Sequence, residues 1–232
     1  TYNFRRDGLP ISGETFIPLE NKERVEFLKG TSGILAGTSS PGGLVNYVVK
    51  RPTEATLRGL RLETSSEGGL LAHLELGGRF GEDRGFGYRR NAVAADVHSY
   101  VPDANGQRGL FALAMDWRAT RDTLVEAEFE LSRLQQPSVP GLSLLGTALP
   151  PATPFININS QPWSQPNEFD SFTGSIGIQQ AINSQWRWQG QLGTQQLKTD
   201  DRLAYPFGCY DTSSGTYYAD RFCPNGAFDL YD

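Results

Sequence analysis

The chain is 232 residues long, enough for one large domain or two small ones with a sizeable core, and its 38% hydrophobic and 20% charged content separates it from disordered tails. A net charge of −5 argues against nucleic acid as the main partner, because phosphate recognition needs a basic field. No run approaches the ~18 apolar residues of a membrane-crossing helix, which leaves a membrane barrel open, since barrel strands are only half apolar.

In chain order, Thr1-Tyr2-Asn3-Phe4-Arg5-Arg6 lacks the apolar stretch of a signal peptide. The protein is then either cytosolic, or the sequence begins after processing or inside a longer protein. Up to about residue 52 the elements are short and punctuated. Asp7-Gly8-Leu9-Pro10 is followed by Arg24-Val25-Glu26-Phe27-Leu28-Lys29-Gly30, a Gly/Ser run, and Leu44-Val45-Asn46-Tyr47-Val48-Val49-Lys50. The second and fourth of these predict strands, being rich in branched residues and bounded by Gly and Pro. Pro52-Thr53 marks a boundary.

From about Thr56 the sequence becomes a series of long alternating segments. Leu70, Ala72, Leu74 and Leu76 oppose His73 and Glu75, and Val93, Ala95 and Val97 oppose Asp96 and His98. Phe111, Leu113, Met115 and Trp117 share a face. Val125, Ala127, Phe129 and Leu131 alternate with Glu126, Glu128, Glu130 and Ser132. Phe172, Ile176 and Ile178 alternate with Ser171, Thr173 and Ser175, and Trp186, Trp188 and Leu192 with Arg187, Gln189 and Gln191. Period two predicts strands with one apolar and one polar face.

A soluble antiparallel sandwich shows the same alternation. Two features favour a membrane barrel. The segments run roughly ten to twelve residues, against about five to six in globular strands. The connections also sort by length: 81–87, 119–122 and 183–185 are short, whereas 135–170 and the stretch after Lys198 are long, as periplasmic turns and external loops are. Phe80, Tyr88, Trp117, Trp186 and Trp188 fall beside the short-turn ends, where an aromatic girdle would sit. Glu126, Glu128 and Glu130 face a wet lumen in the barrel reading and bulk solvent in the sandwich reading. Cys209 and Cys223 have no second pair and no nearby His, which argues against zinc and for a local disulfide in an oxidising compartment.

Residues 24–53 carry the most specific pattern. Arg24-Val25-Glu26-Phe27-Leu28-Lys29-Gly30, Gly33-Ile34-Leu35-Ala36-Gly37 and Ser40-Pro41-Gly42-Gly43-Leu44-Val45-Asn46-Tyr47-Val48-Val49-Lys50-Arg51-Pro52-Thr53 resemble the end of the plug domain in TonB-dependent siderophore receptors. Asp7-Gly8-Leu9-Pro10 matches an upstream element of that plug, and Asp116-Trp117-Arg118 resembles the early barrel. Thr31 and Ala36 depart from the family pattern. The plug motif, Arg24, Glu26, Gly30, Gly37, Pro41, Gly42, Gly43, Asn46, Lys50, Arg51 and Pro52, is expected to build the plug rather than touch ligand.

The resemblance implies an all-β, antiparallel transmembrane barrel of about twenty-two strands with a mixed α/β plug in its lumen. Residues 1–52 would be the C-terminal part of the plug. Residues 53–232 would be the N-terminal part of the barrel, about seven strands, with external loops near 135–170 and 199–232. Seven strands cannot close around a plug without leaving edges in lipid, so the sequence is expected to be part of a longer receptor.

The implied function is uptake of a ferric siderophore across the bacterial outer membrane, driven through TonB by a segment outside this chain. The partners are then the siderophore, TonB and outer-membrane lipid. No cofactor, protein metal site or catalytic residue is expected, because the iron belongs to the siderophore. Expected ligand contacts are Tyr2, Phe4 and Arg5 before the upstream plug element, and Phe155, Trp163, Tyr205, Phe207 and Tyr210 in the barrel loops. A Cys209–Cys223 cystine in the fourth external loop is shared with hydroxamate-receptor relatives, making a hydroxamate such as ferrichrome the first expectation, ahead of a catecholate or mixed ligand. Alternatives are TonB-dependent uptake of haem, cobalamin or a glycan, a non-transporting barrel, and a soluble sugar-binding sandwich. No hydrolase, metalloprotease or redox motif supports an enzyme.

Overall fold

The computed structural model describes residues 3–30, 42–139, 157, 164–206, 210–211, 216–217 and 228–231, with backbone alone from 202 onward. Tyr2, Gly37, Pro41, Phe155, Trp163, Phe207, Cys209 and Cys223 lie outside the described residues. Among the described residues the only helical element is a 3-10 turn at Glu82–Arg84.

The first sheet is small. Its strands are β1 (Phe4–Arg6), β2 (Leu9–Pro10), β3 (Lys22–Leu28) and β4 (Leu44–Val49), in the order β2-β1-β4-β3. Asp7 and Gly8 both take positive φ, 47° and 84°. That is the twist a two-residue hairpin needs to return β2 antiparallel to β1, and Asp-Gly is a favoured pair for it. Strand β1 then runs parallel to β4, and β3 pairs antiparallel on its other side.

The second sheet is a wall of long antiparallel strands: β5 (Leu57–Thr64), β6 (Leu70–Phe80), β7 (Phe86–Val97), β8 (Gly106–Arg118), β9 (Thr123–Gln136), β10 (Gln165–Ala181) and β11 (Arg187–Pro206). Each pairs with the next in sequence. After a two-stranded ribbon of β12 (Tyr210–Asp211) and β13 (Thr216–Tyr217), β14 (Phe228–Tyr231) adds to β11. Strands β6 to β11 measure 11, 12, 13, 14, 17 and 20 residues, longer than the sequence pattern suggested. Paired backbone continues through 165–170 and 199–206, where loop was expected, because the hydrogen-bond ladder persists beyond the last apolar residue.

The pairing settles which residues share a face. Rungs such as Leu74–Ala92–Phe111–Leu131–Phe172 and Tyr88–Met115–Ala127–Ile176–Leu192 point away from the small sheet. On this outward face Leu74, Phe111, Met115, Leu131, Ile176 and Leu192 are exposed. A water-soluble sheet would not leave such a band open, whereas hydrocarbon requires it. The band ends in charge on one side, where Arg133 pairs with Glu168 and Asp170. On the other side it ends in Phe80, Phe86, Trp117, Trp186 and Trp188 beside connections 81–85, 119–122 and 182–186. The opposite edge carries 65–69 and 98–105, and there β9 ends and β10 begins.

One strand reverses its expected faces. Val93, predicted on the outward face of its segment, is buried on the inner face and packs with Leu110, Ala112 and Leu71. The reading assumed a uniformly polar lumen. Here the inner face is apolar where it meets packed protein and polar elsewhere, so alternation alone could not orient β7.

Candidate functional site

The inner face of the wall holds the small sheet through a series of buried ion pairs. At its centre Glu128 and Glu130, two apart on β9, project to the same side as period two dictates. Arg6, the last residue of β1, reaches both. Its guanidinium lies 2.5 Å from Glu128 Oε2 and 2.8 Å from Glu130 Oε2. Lys22, which opens β3, donates to Glu130 at 2.6 Å and to the Asn21 side-chain Oδ1 at 2.7 Å. Asn21 donates to Glu130 at 2.5 Å, and the Ser175 hydroxyl of β10 donates to Glu128 at 3.1 Å.

Two cations thus balance two carboxylates, and all four residues are at most 6% exposed. Sequence reading expected water around these glutamates; instead side chains from the small sheet displace it. Burial pushes the Lys22 ammonium down to about 8, overriding the attraction of Glu130. Burial also opposes the charge on Arg6, but Glu130 and Glu128 outweigh it and raise its pKa. The cluster is a latch, with geometry suited to holding the two sheets in one register.

Further contacts flank the latch. Arg108 of β8 bonds Glu20 at 2.6 Å; burial works against the Glu20 charge, yet the Arg108 hydrogen bond leaves that carboxyl below its usual range. Ser12 donates its backbone N–H to Gln195 of β11 at 2.8 Å. Beyond β4 the connecting segment is fastened residue by residue. Lys50 bonds Glu75 at 2.8 Å, and Arg89 meets the same carboxylate at 2.9 Å. Arg51 bridges Asp7 at 2.8 Å and Glu126 at 3.5 Å. Glu54 pairs with Arg118 and Arg79. Between this segment and the wall lies a polar cavity of about 280 Å³ lined by Asp7, Arg51, Glu126, Gln179 and Gln191.

The motif residues brace the small sheet. Asn46, central on β4, donates to Glu26 of β3 at 2.8 Å and accepts the Gly8 N–H at 3.0 Å. The Asn46 amide and the Arg24 guanidinium hold the Glu26 carboxyl below its usual range. Gly30 and Gly43 adopt positive φ, and Gly42 precedes β4. Pro52 packs so closely on Gly87 that a Cβ there would fall 2.7 Å from the Pro52 ring.

The expected ligand contacts are scattered. Phe4 lies against Gly13, where a Cβ would clash with its ring at 2.3 Å, and Arg5 is buried and donates to the Gly8 carbonyl at 3.5 Å. Tyr205 and Tyr210 fall on β11 and β12 toward the long-connection edge. His73 faces inward and meets Asn91 at 3.0 Å, while His98 bonds the Glu67 carbonyl at 3.1 Å. Sequence reasoning passed over Arg6, Asn21, Lys22, Glu20, Glu75 and Arg108. The one signal within reach was the acidic alternation of Glu126, Glu128 and Glu130, since Arg6 and Lys22 lie outside the predicted strands.

Comparison with known proteins places this geometry. No protein-family model matches the chain. The metal-pseudopaline receptor CntO of Pseudomonas aeruginosa is 34% identical over 114 residues, 49% of this chain and 16% of the relative. The ferrichrome receptor FcuA of Yersinia enterocolitica is 23% identical over 217 residues, 88% of this chain and 28% of the relative. The solved ferripyoverdine receptor of the Pseudomonas aeruginosa outer membrane superposes with a TM-score of 0.79 at 18% identity, covering 99% of this chain and 31% of that one. The chain therefore spans less than a third of the length of each of these relatives, and shares the fold of part of such a receptor.

Proposed function

We propose that this chain, a homologue over part of its length of TonB-dependent siderophore receptors, forms the end of the plug and the first barrel strands of an outer-membrane receptor that imports a ferric siderophore. The observation that carries the reading is the dry latch of Arg6, Lys22, Glu128 and Glu130 inside a wall whose opposite face is apolar. A barrel filled by a separately folded sheet through breakable ion pairs is a stoppered pore. Hydrophobic fusion of the two parts would make the stopper permanent. The outer membrane holds no ATP, so opening draws on force relayed from the inner membrane through TonB, and the stopper responds by shifting between populations. The protein's own part is binding and gating, with no cofactor and no catalytic step.

Residues 1–52 are assigned to the plug and 53–232 to the barrel. Ligand contacts are assigned to the long-connection side, where Phe155, Trp163, Tyr205, Phe207 and Tyr210 supply rings to pack against a ferric siderophore, with a Cys209–Cys223 cystine bracing the same side. Tyr2, Phe4 and Arg5 belong to this set only if β1 moves, because Phe4 and Arg5 are packed within the small sheet. A hydroxamate is the leading ligand class. The test is iron-limited growth of a strain deleted for the receptor gene on a panel of ferric siderophores. Loss of growth on one hydroxamate, restored by the gene, supports the proposal. Unchanged growth on every siderophore, or loss on haem alone, overturns it.

A further inference from the structure

The outward face of the wall has a feature that transport does not use. Near the short connections Phe80, Phe86 and Trp117 stack across β6, β7 and β8, with both centroid separations 5.7 Å, and Tyr88 tilts onto Phe80 at 6.1 Å. They border a hollow of about 440 Å³ completed by Met115 and Arg90. Arg90 is exposed on this face, and its rung neighbours, Leu76 and Leu113, are apolar. Among the described residues its guanidinium has no carboxylate partner and lies 5.7 Å from the Tyr88 ring centroid. Arg58, also exposed, sits across Leu76 from it, likewise without a carboxylate. By contrast Arg79, Arg89 and Arg108, on the inner face of the same strands, are all ion-paired.

An arginine on a lipid-facing strand is costly, and the cost falls toward the interface. Tyr88 is two residues closer than Arg90 to the short turns, so the guanidinium leans toward that edge, as snorkelling side chains do. The short-turn edge of such a barrel meets the periplasmic leaflet. A guanidinium offers a fork of donors that matches phosphate oxygens, and flat aromatic rings offer an apolar bed. We infer that this hollow binds an inner-leaflet phospholipid, its phosphodiester held by Arg90 at the level of the Phe86 and Trp117 rings and an acyl chain running toward the membrane centre over Met115 and Leu113. The inference rests on the membrane-wall reading.

The test uses the full-length receptor that contains this segment, purified from outer membranes in mild detergent and titrated with phosphatidylglycerol and phosphatidylethanolamine under native mass spectrometry. Heat-modifiable migration first establishes that each variant has a folded barrel; a receptor that never inserts into vesicles counts against the wall reading, separately from lipid binding. The expected result is one retained phospholipid, bound roughly fivefold or more weakly by Arg90→Ala and to an intermediate degree by Arg90→Lys. Should Arg90→Ala fail to fold, Trp117→Leu carries the test, with faster loss of the same lipid. Equal retention by wild type and variants overturns the site. So does displacement of the lipid by millimolar inorganic phosphate that then occupies Arg90, or burial of this face in a dimer of two copies.

Discussion

Arg6 is the side chain on which the latch turns, because it alone touches both Glu128 and Glu130. Removing one partner of a buried pair leaves an uncompensated charge and costs about 3–5 kcal/mol, whereas replacing partners together by apolar groups is often neutral. Arg6→Ala in the whole receptor is therefore expected to lower thermal stability and admit a large hydrophilic antibiotic. Arg6→Met combined with Glu128→Met should restore much of the barrier, since Lys22 still serves Glu130. Equal leakage by the single and double variants would show that packing, not charge, holds the stopper. Lys22 adds a pH signature. Its folded pKa of about 8 lies below the ordinary 10.5, so between those values the unfolded chain binds more protons and stability rises with pH. Calorimetry from pH 8 to 10.5 should show wild type gaining up to about 3 kcal/mol over Lys22→Met; parallel curves would mean the ammonium is not desolvated. The acidic alternation of β9 was legible, but its partners were not. Arg6 stands 122 residues from Glu128, and period two reports only which side a residue takes, not what meets it there.

At the scale of strands, face assignment followed the sequence wherever one side was polar throughout. β9 and β10 obey it because their inner faces meet ions, hydroxyls and the small sheet's charged ends. β7 breaks it because Val93 packs into an apolar patch on the inner side while Ala92 and Ala94, too small to mark a face, point outward. Strand ends were less legible than strand cores, since backbone pairing of β10 with β11 persists among polar side chains such as Glu168 and Asp200. A direct check of the outward assignment is Ile176→Arg, in the middle of the apolar band of β10. It should destabilise the inserted barrel by about 2–4 kcal/mol, read as a smaller folded fraction on refolding into vesicles. Thr173→Asn, on the inner face of the same strand, should cost far less insertion. Matching losses would mean that the band does not face hydrocarbon.

For the whole molecule, the two sheets are joined at places that differ in kind. The connecting segment is fixed by successive charges at Lys50, Arg51 and Glu54, and Thr53 lies against Gly77, where an added Cβ would stand 2.8 Å from the Thr53 hydroxyl. The far side of the small sheet rests on the wall through the latch and through Leu9, whose side chain reaches within 2.6 Å of a Cβ built on Gly193. If gating releases the latch while the connecting segment stays anchored, two engineered disulfides should behave oppositely. Leu9→Cys with Gly193→Cys should abolish uptake when oxidised and recover it on reduction. Thr53→Cys with Gly77→Cys should leave uptake within about twofold of wild type. Radiolabelled-iron uptake, with and without reductant, reads both. Full uptake through the oxidised Leu9–Gly193 crosslink would show that β2 never leaves the wall. Passage would then have to open elsewhere, beginning with the polar cavity beside Arg51 and Glu126.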